Sequence, residues 1–146
     1  MILAVYIAFL FILLGLIISE SKSYLFVSRF LFIVLLILLA TFKDGSVLPD
    51  YQVYFSDYMN IINGGSLRSV EISFKAISWL FSGLGSKGFL GLLFVYSAIH
   101  LILIHKLINS NSEYYFYSLL LYFVNFYIIF GLIQIRAGVA LALCYY

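Results

Sequence analysis

Asp50, Glu71 and Arg136 are the side chains whose types and settings are suited to chemistry. Arg136 lies in Gln134-Ile135-Arg136-Ala137-Gly138-Val139-Ala140, between two hydrophobic runs and followed by small residues. A guanidinium at a helix start is disfavoured by the helix dipole, so some other interaction must hold it there. Its planar fork of five donors suits a phosphate or a carboxylate. Spacing alone gives an equal claim to a plain interfacial anchor against lipid headgroups. Asp50 and Glu71 each open a short helical pattern, and the Gly64-Gly65 turn between them is able to fold the two together. A carboxylate in such a position can take a proton from an attacking hydroxyl, although the ordinary state of a loop carboxylate is solvation. His100 and His105 do not share a helix face at ligand spacing and have no third ligand, so His100 reads as a hydrogen-bonded packing residue. Cys144 is the lone cysteine, which excludes an internal disulfide and a cysteine-based metal site. No metal and no cofactor is expected, and there is no GxxxxGK, HExxH or GxSxG pattern.

The elements that must position these residues are apolar. Hydrophobic residues make up 65% of the chain and charged residues 10%, well below the quarter or so that a water-exposed surface needs. The class expected is all-α, a polytopic transmembrane helical protein in one domain, residues 1–146. Crossing about 30 Å of hydrocarbon takes roughly 17 to 25 helical residues. Met1–Ile18, Tyr24–Phe42, Gly88–Ile104 and Phe116–Ile133 meet that length, and Ala137–Tyr146 begins another run. That run stops in mid-pattern, so the chain reads as an N-terminal piece of a longer membrane protein, or a truncated product, inactive alone. Met1–Ile18 lacks a basic leader and a small-residue cleavage site, so it reads as a retained span. Eight basic and six acidic side chains are spread thinly, with no basic run to follow a phosphate backbone, which excludes nucleic acid as a partner.

Residues 43–87 form a surface loop that holds Asp44, Asp50, Asp57 and Glu71. Asp50, Tyr54, Asp57, Tyr58 and Ile61 recur at helical spacing, and Gly64-Gly65 supplies the stop. A second short helix is predicted over Val70–Leu84, with Ser69 as N-cap and Glu71 in its first turn. Phe74, Ile77, Phe81 and Leu84 make its apolar stripe, and Glu71, Lys75, Ser78 and Ser82 its polar one. Both helices are expected to lie in the interface, with a crossing at Val70–Leu84 as the other reading. Lys22, Arg29, His105 and Lys106 favour a cytoplasmic side for the connectors after the first and third spans. That puts the acidic loop outside, although Lys43, Arg68, Lys75 and Lys87 also fall on that side. Burying a charge at the bilayer centre costs about 2.5 to 3.5 kcal/mol, so Arg29 should snorkel back toward Lys22.

The order Asp50-Tyr51-Gln52-Val53-Tyr54, then Glu71-Ile72-Ser73-Phe74-Lys75 opening a hydrophobic helix, then Arg136 followed by small residues, resembles the EpsG family of bacterial polysaccharide polymerases. These are related in role to Wzy-type O-antigen and capsule polymerases. The likeness covers essentially the whole chain but less than half of a family member. Leu48-Pro49 stands where a Gly often precedes the Asp, and Ala137 where a Gln often follows the Arg. The loop layout is also similar to that of GT-C glycosyltransferases.

The resemblance implies polymerisation of oligosaccharide repeat units carried on an isoprenoid diphosphate, in a multi-pass protein of the bacterial inner (cytoplasmic) membrane. Asp50 would act as general base toward the acceptor hydroxyl, Arg136 would hold the departing lipid diphosphate, and Glu71 would position one of them. Tyr51, Tyr54 and Tyr58 would contact sugar rings. Implied partners are the bilayer, the isoprenoid-diphosphate-linked oligosaccharide and other polysaccharide-assembly membrane proteins. A transporter or flippase fragment, or a non-enzymatic membrane subunit, is the competing expectation.

Overall fold

The structure is a computed structural model that describes residues 2–17, 22–43, 45, 48–65 and 71–145. All regular elements among these residues are helical. They are α1 (Ile2–Ile17), α2 (Lys22–Thr41), α3 (Pro49–Ile62), α4 (Ile72–Leu80), a 3₁₀ segment (Ser82–Lys87), α5 (Gly88–Asn111), α6 (Tyr115–Tyr122), a π-helical continuation (Phe123–Ile133) and α7 (Ile135–Tyr145). Among the described residues, two stretches are long and apolar enough to cross a membrane: Ser82–Asn111, which includes α5, and Tyr115–Ile133. Shorter apolar segments lie in α1, α2 and α7.

Two apolar clusters share α5 as a common wall. In one, Ala8 and Ile12 of α1, Phe32 and Leu36 of α2, Leu101 of α5 and Leu119 of α6 close around Tyr127. The Tyr127 hydroxyl donates to the Leu36 carbonyl at 2.7 Å, which satisfies a buried polar tip. Gly15 lets α1 lie directly on the Phe116 ring, where an added Cβ would sit 3.0 Å from a ring carbon. In the other cluster Tyr54, Tyr58 and Ile61 of α3 and Phe74 of α4 pack on Phe89, Leu92, Leu93 and Tyr96 of α5, with Ile135 of α7 beneath. The acidic loop is therefore a packed helical layer seated on the first half of α5. Leu10, Phe11, Phe26, Phe30, Val124 and Phe126 stay exposed on the outside. Lipid is a compatible environment for such a surface, and water is not.

Local sequence accounts for the loop helices. Pro49 occupies the start of α3, where its missing N–H costs nothing. At the other end Gly64 has φ +82, and the Gly65 N–H closes on the Asn60 carbonyl at 2.8 Å. This is the left-handed stop that the glycine pair predicts. The α4 reading needs correction. Its start is Glu71, which sits at the N-cap in extended conformation with no side-chain capping bond, while Ser69, Asp44 and Arg68 lie outside the described residues. The helix ends at Leu80, and Gly85 at φ 57 turns the chain into α5. Phe74 is fully buried and Ile77 packs partly buried beside it, as the apolar stripe predicts, but Ser78 of the polar stripe is also fully buried, and Leu84, beyond the early stop, is 62% exposed. Ile72, Trp79 and Leu80 form an exposed apolar edge.

The α5 helix continues to Asn111, well beyond the predicted end at Ile104, so His100 lies deep in the helix and not one turn from its end. It packs as a hydrogen-bonded core residue, Nε2 being 3.1 Å from the Tyr122 hydroxyl. The predicted span over Phe116–Ile133 changes character at Phe123, where it winds into a π-helix before breaking at Gln134 (φ −103, ψ 59). The Gln134 N–H still reaches five residues back, to Ile129 at 2.7 Å. π-helical turns are rare and are found frequently at functional sites.

Candidate functional site

Arg136 lies one residue into α7, immediately after the break at Gln134. The break starts a new helix at the level of the loop layer, and this aims the guanidinium across it. Nη1 donates to Glu71 Oε2 at 2.8 Å and lies 4.0 Å from Asp57 Oδ2. The guanidinium carbon stands 4.4 Å from the Tyr54 ring centroid and 5.1 Å from that of Phe74. Two carboxylates and two aromatic faces thus answer the unfavourable dipole at the helix start, each ring contact contributing about 0.5–1 kcal/mol or more as it is desolvated. The two carboxylates are not equivalent. Asp57 is 18% exposed and fixed on α3, whereas Glu71 is 58% exposed at a helix cap. An exposed pair of the second kind is worth about 0–1 kcal/mol and opens easily.

The surrounding shell is polar but structured. Ser73 Oγ and the Tyr96 hydroxyl are 3.1 Å apart. Burial raises the Tyr54 phenol above its ordinary 10, with the neighbouring Arg136 pulling the other way, so Tyr54 remains a neutral donor. Lys43 is 7% exposed, and its Nζ donates to the Leu132 carbonyl. That carbonyl belongs to the last π turn, where helical partners run out. Lys43 therefore caps the segment whose break sets Arg136.

Burial lowers the Lys43 ammonium from 10.5 to about 8, with Asp50 acting in the opposite sense. Below about pH 8 Lys43 is charged whether the chain is folded or unfolded. Between about 8 and 10.5 the folded chain loses its proton first, so this residue makes stability rise with pH across that window. The expected result is that wild type gains thermal stability relative to Lys43→Met between pH 8 and 10, measured by melting in detergent. Identical slopes for the two proteins would refute the assignment.

A sequence profile of the EpsG family matches residues 26–146. The chain belongs to the EpsG family. Searches of curated proteins and of solved structures found no match. Membership of the EpsG family fits a role in polysaccharide biosynthesis and, together with the two long apolar helices, a membrane protein.

In this EpsG-family chain, Glu71 and Arg136 meet directly, although they are distant in sequence. Asp50 stands about two helix turns from Asp57, in the first turn of α3, within electrostatic reach of Lys43 and Tyr54. The carboxylates at Arg136 are therefore Glu71 and Asp57, and Asp50 is not one of them. The three tyrosines separate by environment. Tyr54 is 5% exposed and lies against Arg136. Tyr58 is fully buried and donates its hydroxyl to Phe81 and Gly85 carbonyls, at 3.1 and 2.8 Å. Both rings are engaged, so the sugar contact expected of them is redirected to structural roles in this arrangement. Tyr51 is half-buried and meets the Phe89 ring edge-on at 5.1 Å, leaving part of its surface free. Asp57, Lys43, Ser73 and Tyr96 are site residues that motif reasoning passed over. Asp57 was legible on the Asp50/Tyr54/Asp57/Tyr58 face, but nothing local links Lys43 or Tyr96 to Arg136.

Proposed function

We propose that this protein takes part in polymerising lipid-linked oligosaccharide repeat units for a bacterial surface polysaccharide (O-antigen, capsule or exopolysaccharide), as a multi-pass protein of the inner membrane. The observation that carries the reading is the Arg136 guanidinium, seated over the adjoining Tyr54 and Phe74 rings and held on its open side by an exposed carboxylate. α3 and α4 lie at the membrane surface, with Trp79 and its apolar neighbours dipping into the interface as aromatic belts do.

In this mechanism the diphosphate of the lipid carrier displaces Glu71 from Arg136. The exchange is favourable because an exposed pair is worth about 0–1 kcal/mol, whereas each charge-assisted hydrogen bond to the new anion contributes about 1.5–3 kcal/mol net. Arg136 then stabilises the negative charge that builds on the leaving diphosphate as the glycosidic bond breaks. Asp57 keeps the guanidinium in register. Asp50, free of an arginine partner, takes the proton of the acceptor hydroxyl or orients it, and Tyr51 contacts the sugar. Glu71 positions Arg136 in the resting state.

The test is to assay lipid-linked intermediates in cells that lack the complete protein. Single repeat units should accumulate on the outer face of the inner membrane while long chains disappear. Accumulation on the cytoplasmic face would instead indicate a flippase, and a normal long-chain ladder would remove the protein from assembly.

A further inference from the structure

A second cationic site lies at the opposite end of the bundle. Arg29 lies in the first half of α2, whereas Lys43, two residues beyond that helix's last residue Thr41, reaches the Leu132 carbonyl beside the Arg136 break, so Arg29 and Arg136 occupy opposite ends. Arg29 Nη1 donates to Asn109 Oδ1 at 2.8 Å, and the guanidinium carbon stands 4.4 Å over the Tyr115 ring. The Tyr115 hydroxyl is in turn 2.6 Å from His105 Nδ1. Among the described residues no carboxylate lies within ion-pair distance of Arg29, and its Nε is buried without a hydrogen-bond partner. A guanidinium held by an amide and a ring still has donors and a full charge to satisfy. In a membrane such a group is costly unless an anion meets it.

The space beside it has a definite shape. A groove of about 320 Å³ is bounded by Arg29, His105 and Asn109, and by Ile33, Ile37 and Ile102. On α2, Ile33 and Ile37 follow Arg29 at one and two turns, and on the antiparallel α5, Ile102 follows His105 and Asn109 inward. The groove is therefore polar and positive at its mouth and apolar for about 12 Å of helix beyond it. One phosphate oxygen group followed by one hydrocarbon chain fits that sequence of surfaces, whereas a free phosphate would leave the apolar walls unused.

We infer that Arg29, with Asn109 and His105 beside it, binds the phosphate of an anionic phospholipid whose acyl chain lies along the α2–α5 groove. The site is in the leaflet opposite the Arg136 site and does not depend on the function proposed above.

The test uses the full chain purified in detergent and analysed by native mass spectrometry. Phosphatidylglycerol, phosphatidylcholine with the same chains, and inorganic phosphate serve as probes. Wild type should retain phosphatidylglycerol over phosphatidylcholine by about tenfold, because the choline ammonium compensates the phosphate charge and weakens its hold on Arg29 by about as much as one charge-assisted contact contributes. Arg29→Gln should bring the two lipids level. Ile102→Trp, at a position 47% exposed and tolerant of bulk, fills the groove and should lower retention of both. Equal retention of the two lipids by wild type would overturn the assignment. So would displacement of phosphatidylglycerol by an equal concentration of inorganic phosphate. If Arg29→Gln fails to fold, unchanged lipid retention in Ile102→Trp overturns it independently.

Discussion

Replacing Arg136 by Ala in the complete protein is expected to lower polymer formation by about a hundredfold or more, the usual loss when a donor to developing transition-state charge is removed. Long chains should vanish from the surface while lipid-linked single units persist. Arg136→Lys should restore little. The guanidinium lies over the adjoining Tyr54 and Phe74 rings, which are tilted against each other, while its Nη1 meets Glu71 and Asp57. An ammonium is a point charge that cannot satisfy both demands at once. Glu71→Gln serves as the contrast, because its pair is exposed and its removal should leave stability nearly unchanged. Gel analysis of surface polysaccharide reads the outcome. A full-length ladder from the Ala variant would show that Arg136 has no part in the reaction.

The second large effect is expected at Gly138. A Cβ placed there would stand 2.5 Å from the Phe130 carbonyl oxygen and 2.7 and 2.8 Å from two atoms of the His100 ring. The His100 ring is pinned by Tyr122, and the Phe130 carbonyl is backbone within the π-helix, so neither can withdraw cheaply. Gly138→Ala should therefore destabilise the protein by about 1–3 kcal/mol, the range for overpacking a close contact. Because α7 would be pushed away from α5 and the π segment, Arg136 would move with it and activity should fall as well. Thermal melting in detergent checks the first effect and the polysaccharide ladder the second. An unchanged melting temperature would mean that α7 does not pack this closely.

Where reading the sequence succeeded, the signal was local. The long apolar runs marked the helices, since backbone groups in lipid must be satisfied within the segment. Pro49 and Gly64-Gly65 bracketed α3 because each fixes its own backbone geometry. Arg136 was conspicuous because its type conflicts with its position. The α4 stripe is right at Phe74 and Ile77 and wrong at Ser78 and Leu84 for a non-local reason: tertiary packing buries Ser78 as well, and the chain leaves the helix at Leu80, before Leu84. The winding from α to π at Phe123 also has no local signature among the apolar residues on either side of it.

The sequence by itself determined an all-helical membrane protein of the EpsG family and the residue types available for chemistry, because hydrophobicity and backbone stops act within a few residues. Only the tertiary structure decided which charges meet. Glu71 and Asp57 reach Arg136, and Lys43 reaches Leu132, across long stretches of chain, because helix packing and not spacing brings their side chains together.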